Sequence, residues 1–168
     1  MVDEEIKSDL IDIVHHEHDH LRRLFEDIST SFEAVAEGEE QLEEKREELD
    51  TAAEDLSVAL DEMLHHFTQE EEVFFVDLEQ RFPELGDDID QLAEAHHEMC
   101  KRTQWLQQQL SADIDAMADN VDEIREVLEG MVKRLEEHTA EENRIFGLAL
   151  QRMPREEQDE LLDEMRKI

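Results

Sequence analysis

The spacing of the apolar residues constrains the fold of this chain more than any other feature. Between residues 4 and 36, apolar side chains are separated by steps of three, four and seven positions. Such steps place side chains on one face of an α-helix, so we predict a first amphipathic helix over residues 4–36. The apolar residues of this stretch include Ile11, Val14, Leu21, Phe25, Ile28 and Phe32.

The same periodicity continues in three further stretches. A second predicted helix, from about Leu49, ends near Pro83, because proline is not accommodated in a helix interior. A third runs from about Asp87 to Leu110, and a fourth covers roughly residues 120–151. We expect Gly38 to loosen the chain between the first two helices.

Two shorter segments complete the pattern. We interpret the Asp-rich sequence over residues 113–120 (DIDAMADN), together with Ser111, as a connection. Residues 155–167 predict a short fifth helix with an apolar side formed by Leu161, Leu162 and Met165.

Four long helices joined by short connections favour an all-α fold. We expect an antiparallel up-down-up-down four-helix bundle over about residues 4–151, with a short C-terminal helix over about 155–167, so that 1–168 form one domain. The 4 Gly and 2 Pro are too few for the many turns of an all-β fold. A coiled coil is the alternative, but Pro83, Gly86 and Pro154 interrupt the heptads.

The net charge of the chain limits the classes of partner that it can bind. The chain has 50 Asp and Glu against 16 Lys and Arg, a formal charge of −34. This balance excludes nucleic acid and anionic membranes as expected partners, because both need a basic patch. With 39% hydrophobic residues, we expect a folded protein whose acidic surface suits high salt, as in a halophilic organism.

Location is also constrained by what the sequence lacks. One cysteine excludes an internal disulfide framework. The first residues, MVDEEIKSDL, contain no apolar signal core, and no stretch reaches the length of a membrane span. We therefore expect a cytoplasmic protein.

The nine histidines form four clusters, one in each long predicted helix. Helical phase places one member of each cluster on the apolar face, and these four are His18, His66, His96 and His138. We assign the others to the surface or to the surroundings of the site, and these are His15, His16, His20, His65 and His97.

Two of the inward histidines are followed by glutamate at a spacing of four. Glu70 follows His66 and Glu142 follows His138, and a spacing of four stacks two side chains on one helix face. An apolar pair begins three residues after each glutamate, so the two halves of the chain form an internal repeat.

Bundle geometry predicts that these six side chains lie at one depth. Residues at one depth are symmetric about the turn between their helices, and the expected turns fall near positions 82 and 118, with a broader connection near 43. A single histidine on an apolar face is ordinarily a core or boundary residue. Six such groups buried together and unpaired would each cost about 1–3 kcal/mol.

Two divalent cations would satisfy all six groups. Imidazole and carboxylate suit Fe, Mn or Zn, and two carboxylates that can bridge suit a dinuclear centre. The residues alone leave Fe, Mn and Zn open. The predicted metal ligands are His18, His66, Glu70, His96, His138 and Glu142.

Over about residues 10–150, this pattern resembles the hemerythrin-like family, also called the HHE cation-binding domain. The resemblance implies an antiparallel four-helix bundle around a non-haem di-iron centre. It implies two iron ions as the cofactor, with an oxo or hydroxo bridge left open, and makes Mn and Zn the less favoured metals. It implies that His18 and His66 bind one iron, that His96 and His138 bind the other, and that both glutamates bridge. The ferritin-like family is similar only in outline and uses Glu-x-x-His. The motifs that carry the resemblance are Glu17-His18, His66-Phe67, Glu70-Glu71, Phe74, His96, His138, Glu141-Glu142 and Phe146.

The sequence departs from the oxygen-carrying members at two positions. Those proteins place a second histidine four residues after the helix 3 ligand and an aspartate five residues after the helix 4 ligand, where this chain has Cys100 and Asn143. One histidine fewer disfavours simple reversible oxygen carriage and leaves a position open to oxygen, peroxide or nitric oxide. Cys100 has two interpretations, as a small buried hydrophobe or as a redox-sensitive thiol or weak ligand near the metal.

We therefore expect a protein that binds oxygen or a related small oxidant for sensing, storage or delivery. The alternatives are a di-iron enzyme that scavenges peroxide or nitric oxide, and an iron-sensing or scaffold protein. Trp105 is the one Trp and Tyr is absent, which favours binding over catalysis, and we assign no catalytic residue. A protein partner or a homodimer remains open, with residues 155–168 as a candidate contact.

Overall fold

The computed structural model describes residues 18–32 and 39–167 of the 168-residue chain. The predictions for residues 4–17 and 33–36, which include His15 and His16, lie outside these ranges, as does Gly38. Within the described ranges the secondary structure is helical and contains no strand, which confirms the all-α class.

Eight α-helices account for most of the described residues. We label them α1 to α8 in chain order. A π-helical segment, Glu70–Phe75, separates α3 from α4, and a 3-10 turn, Pro83–Leu85, precedes α5. The helices are α1 (residues 18–32), α2 (Glu39–Glu44), α3 (Arg46–Gln69), α4 (Val76–Arg81), α5 (Gly86–Leu110), α6 (Ile114–Asp119), α7 (Val121–Gln151) and α8 (Arg155–Arg166).

Helices α5, α7 and α8 coincide with the third, fourth and fifth predicted helices. The predicted connection over 113–120 is wrong in part, because Ile114–Asp119 forms helix α6. This helix forms because it buries apolar side chains: Met117 is 1% exposed and Ile114 packs against the same core. A helical turn brings residues three apart to one face, and the acidic residues between them stay in solvent.

The second predicted helix is divided. Helix α3 covers its first part, the π-helical segment follows, and α4 completes it before Pro83. The broad connection expected near position 43 contains α2, which buries Leu42 in the core. The single continuous helix predicted up to Pro83 is thus wrong at Glu70–Phe75.

Buried apolar residues form two clusters. Helix α5 packs against both α3 and α7, and α8 packs against the π-helical segment. The first core cluster includes Leu21, Met63, Phe67, Met99, Leu128 and Leu135. The second core cluster includes Phe74, Phe75, Ile89, Leu92, Ile145, Phe146, Leu161 and Met165.

No helix among the described residues has the length and apolar character needed to cross a membrane.

Candidate metal centre

The structure brings all six predicted ligand residues together between the two core clusters. The four imidazoles are 2–4% exposed and both carboxylates are 0% exposed. Helix α3 and the π-helical segment supply His66 and Glu70, and α7 supplies His138 and Glu142. Helices α1 and α5 supply His18 and His96.

Helical phase correctly separates the buried histidines from their neighbours. His20, His65 and His97 are exposed, as the spacing predicts. His20 lies beside Glu62 on the surface, with Nε2 3.3 Å from Oε2.

The four imidazoles meet as two pairs. Nε2 of His18 lies 3.0 Å from Nε2 of His66, and Nε2 of His96 lies 2.8 Å from Nε2 of His138. Two ligand atoms bonded to one ion at about 2.1 Å, at angles between 90° and the tetrahedral value, are about 3–3.4 Å apart. The two nitrogens of each pair therefore have close to the separation that one shared cation requires.

Glu70 lies between the two pairs. Its Oε1 is 2.9 Å from Nε2 of His66 and 3.8 Å from Nε2 of His18. Its Oε2 is 3.0 Å from Nε2 of His96. One oxygen thus faces each imidazole pair.

Glu142 has the corresponding position on α7. Its Oε1 is 2.7 Å from Nε2 of His138 and 3.2 Å from Nε2 of His96. Its Oε2 is 3.3 Å from Nε2 of His18. Both carboxylates can therefore contact two cations at once.

The π-helical segment alters the internal repeat. In α7 the buried pair Ile145-Phe146 begins three residues after Glu142, whereas after Glu70 the buried pair is Phe74-Phe75, one residue later. A π-helix closes its hydrogen bonds over five residues instead of four, so it accommodates one extra residue. The segment thereby keeps Glu70 in the site and returns the following residues to the core.

The outer nitrogens of two histidines are held by side chains that the sequence did not identify as part of the site. Thr139 Oγ1 donates to the carbonyl of Leu135 at 2.7 Å and lies 3.0 Å from Nδ1 of His18. Because its proton is already committed, the hydroxyl accepts from the Nδ1–H of His18, so Nε2 is the nitrogen that would bind a cation.

His96 is held in a similar way. Oε1 of Glu71 lies 3.3 Å from its Nδ1, and its ring stacks on Phe67 with centroids 3.8 Å apart. Phe75 stacks on His96 at 5.5 Å. Two sequence features could have identified Glu71 as part of the site: it directly follows Glu70, and the same Glu-Glu pair recurs at positions 141–142. No sequence feature pointed to Phe75.

Burial and mutual repulsion separate the protonation behaviour of the two carboxyls. Burial and the neighbouring Glu70 raise the pKa of Glu142 well above its ordinary value. Burial opposes ionisation of Glu70, but the adjacent His66 and His96 outweigh it and lower that pKa well below the ordinary value. Without a cation, one site cannot hold two ionised carboxylates at low cost.

The pKa values of two of the imidazoles are also shifted in opposite directions. Burial, together with repulsion from His96, lowers the pKa of His138 to about 3. Burial also opposes charge on His96, but its contacts with Glu142, Glu70 and Glu71 raise that pKa well above the ordinary value. A cation would replace the proton on His96, since metal ligands are bound in deprotonated form.

These residues fit divalent cations. Both oxygens of Glu70 and Oε2 of Glu142 are buried and form no hydrogen bond with the described part of the chain. Ligand atoms of His18, Glu70, His138 and Glu142 all lie within 4.8 Å of one another. Nitrogen and oxygen donors of this kind suit Fe, Mn and Zn, and a cation would satisfy carboxylate oxygens that are buried away from solvent.

Cys100 is half-buried and packs against the first core cluster. Burial, with a contribution from Glu71, raises the pKa of its thiol to about 11. The thiol is therefore protonated at neutral pH, which favours its interpretation as a small hydrophobe over a reactive thiolate.

Comparison with known proteins agrees with this chemistry. The family model described as "Hemerythrin HHE cation binding domain" matches residues 9–150. No curated protein and no solved structure matches the chain. The matched range ends within α7 and does not include α8.

Proposed function

Because the chain belongs to the hemerythrin HHE cation-binding domain family, we propose that it is a dinuclear non-haem iron protein that binds oxygen or a related small oxidant. Such binding serves sensing, storage or delivery. The observation that carries the proposal is the placement of two buried carboxylates, each facing both imidazole pairs.

The order of residues along the helices supports an antiparallel four-helix bundle. From α3 into the π-helical segment the chain passes from Met63 in the first core cluster, through the site, to Phe74 in the second. On α5 it passes from Leu92 in the second cluster to Met99 in the first. We propose that α3 and α5 run in opposite directions and that residues 1–168 form one domain.

Helices α1 and α7 follow the same alternation. On α7 the first-cluster residue Leu135 precedes the site and Ile145 of the second cluster follows it, as on α3. On α1 the first-cluster residue Leu21 follows His18, as Met99 follows His96 on α5. This alternation is the one expected of an up-down-up-down bundle.

Each imidazole pair would hold one ion in the proposed centre. His18 and His66 hold the first, His96 and His138 hold the second, and Glu70 and Glu142 contact both. The Nε2 separations of 3.0 and 2.8 Å support this division. The donor set also suits Mn and Zn, so iron is the part of the proposal that most needs a direct test.

Iron, when bound, supplies the electrons that a small oxidant accepts. The chain holds the ligands in their binding tautomers through Thr139 and Glu71. The rings of Phe67, which packs against His66, His96 and His138, and of Phe75, which stacks on His96, cover one side of the ligand imidazoles.

Iron loading of the metal-free protein, followed by elemental analysis and absorption spectroscopy, tests the proposal. We expect two iron ions per chain and a visible charge-transfer band that changes on exposure of the reduced protein to oxygen. The zinc-loaded protein is the matched control, because it has the same ligands without redox chemistry. Two bound ions with no response to oxygen would contradict the oxidant-binding part, and fewer than one ion would contradict the metal centre.

A further inference from the structure

Helix α8 lies outside the range that matches the family, yet it packs against the π-helical segment that carries Glu70. The structure assigns a positioning role to this helix. We propose that α8 clamps the π-helical segment and thereby holds Glu70 and the partners of His96 in place. This inference rests on the proposed metal centre for its consequence, although the clamp itself can be tested without metal.

One hydrogen bond joins α8 to the start of the segment. The side-chain amide of Gln69, the last residue of α3, donates to the backbone carbonyl of Met165 at 3.0 Å. The last carbonyls of a helix have no partner within the helix, so this bond satisfies a group that α8 would otherwise leave free. Gln69 directly precedes Glu70, and any movement of Gln69 is transmitted to the carboxylate.

Apolar contacts join the same elements. Leu161 and Met165 are 2% and 6% exposed and belong to the second core cluster with Phe74 and Phe75 of the segment. The apolar face of α8 is thus used within the chain. A protein partner at residues 155–168 stays a prediction.

Helix α8 is also anchored to the end of α7. The buried amide of Gln158 donates to the carbonyls of Leu150 and Met153, at 3.0 and 2.9 Å. On the outer side, Arg81 of α4 pairs with Glu157. Helix α8 therefore contacts both helices that flank the π-helical segment, α3 through Gln69 and α4 through Arg81.

The segment contributes three of the contacts that fix His96. Glu70 Oε2 lies 3.0 Å from Nε2, Glu71 Oε1 lies 3.3 Å from Nδ1, and Phe75 stacks on the ring. A π-helix is a less favourable backbone than an α-helix and occurs mostly as short segments at functional sites. Packing from outside the helix is needed to hold it. Helix α8 supplies part of that packing, and Phe146 of α7 supplies another part through its contact with Phe74.

The test compares Gln69→Met with Gln80→Met in the full-length chain. Both substitutions replace an amide by an apolar side chain of similar length, but Gln80 is exposed on α4 and has no part in the clamp. We expect Gln69→Met to raise hydrogen exchange of the amides of residues 70–75 by about three- to tenfold, the effect of one hydrogen bond. Zinc transfer from the loaded protein to a chelator should accelerate by a similar factor, and Gln80→Met should change neither rate.

A second pair of variants separates local loosening from general destabilisation. Leu161→Ala removes a clamp contact, whereas Leu128→Ala removes an equally buried leucine from the first core cluster. At matched thermal stability, we expect faster exchange in residues 70–75 for Leu161→Ala alone.

Two results would overturn the clamp. The first is unchanged exchange in residues 70–75 for both Gln69→Met and Leu161→Ala. The second is faster exchange with an unchanged rate of zinc transfer, since α8 would then pack on the segment without positioning a ligand. If the wild-type chain binds no zinc or iron, the proposed function fails, and the exchange of residues 70–75 still decides whether α8 holds the segment.

Discussion

Replacing Glu142 by glutamine should move the stability of the metal-free protein and its metal affinity in opposite directions. Glu142 is 0% exposed and shares the site with Glu70, and both burial and that neighbour raise its pKa well above the ordinary 4.5. The folded state therefore favours a proton on this carboxyl, which the unfolded chain does not hold at pH 7. In the variant Glu142→Gln this side chain is neutral in both the folded and the unfolded state, so folding requires no proton uptake there.

The size of the gain follows from proton linkage. Taking up one proton at pH 7, on a group whose ordinary pKa is 4.5, costs at most about 3 kcal/mol at about 1.4 kcal/mol per pH unit. Because the folded-state pKa is raised, this cost grows as pH rises above 4.5 and disappears below it. We expect metal-free Glu142→Gln to be more stable than wild type at pH 7 by at most about 3 kcal/mol, which raises its melting temperature by up to about 10 °C. At pH 5 the gain should fall below about 1 kcal/mol.

In contrast to the gain in stability without metal, Glu142→Gln should weaken metal binding. An amide would supply one weak neutral donor in place of a carboxylate that, in the proposed centre, would contact both cations. Loss of a hydrogen-bond partner of a ligand costs about 10–100-fold in metal affinity, and this substitution should cost more. Calorimetric melting at pH 5 and 7, with and without zinc, measures both effects. The exposed neighbour variant Glu141→Gln is the matched control. A metal-free Glu142→Gln protein that is less stable than wild type at pH 7, or that keeps wild-type zinc affinity, would refute the reasoning.

Three further predictions concern individual side chains. His66→Ala should lower the metal content found by elemental analysis from two ions per chain to one or fewer. His65→Ala, at an exposed position, should leave two ions per chain. Thr139→Val removes the acceptor for His18 Nδ1 and should lower zinc affinity by about 10–100-fold in chelator competition, and an unchanged affinity would remove Thr139 from the site. Since the pKa of Cys100 is raised to about 11, its alkylation at pH 7 should be slower than that of a free thiol, and Cys100→Ser should leave the iron spectrum unchanged. A shifted spectrum would instead support Cys100 as a ligand.

Helical phase accounts for what the sequence predicted well. The period of 3.6 residues is a local property, so it identified α5 and α7 and distinguished buried His66 from exposed His65 without any knowledge of neighbouring helices. The i, i+4 spacing likewise placed Glu70 and Glu142 beside their histidines.

The remaining features depend on how helices contact one another. Glu70–Phe75 are ordinary helix-compatible residues, and the π-helical conformation follows from the need to bury Phe74 and Phe75 while Glu70 stays in the site. Thr139 reaches His18 across two helices, and that contact depends on their relative rotation, which a hydrophobic period does not fix. Helix α6 was missed because the acidic residues concealed a single buried turn around Met117.

The most direct test of the dinuclear centre is an anomalous difference map from a crystal of the iron-loaded protein, measured on both sides of the iron absorption edge. We predict two peaks about 3.5–4 Å apart, one against His18 and His66 and the other against His96 and His138, with a carboxylate oxygen of Glu70 and of Glu142 beside each. A single peak, or two peaks away from these six side chains, would contradict the account.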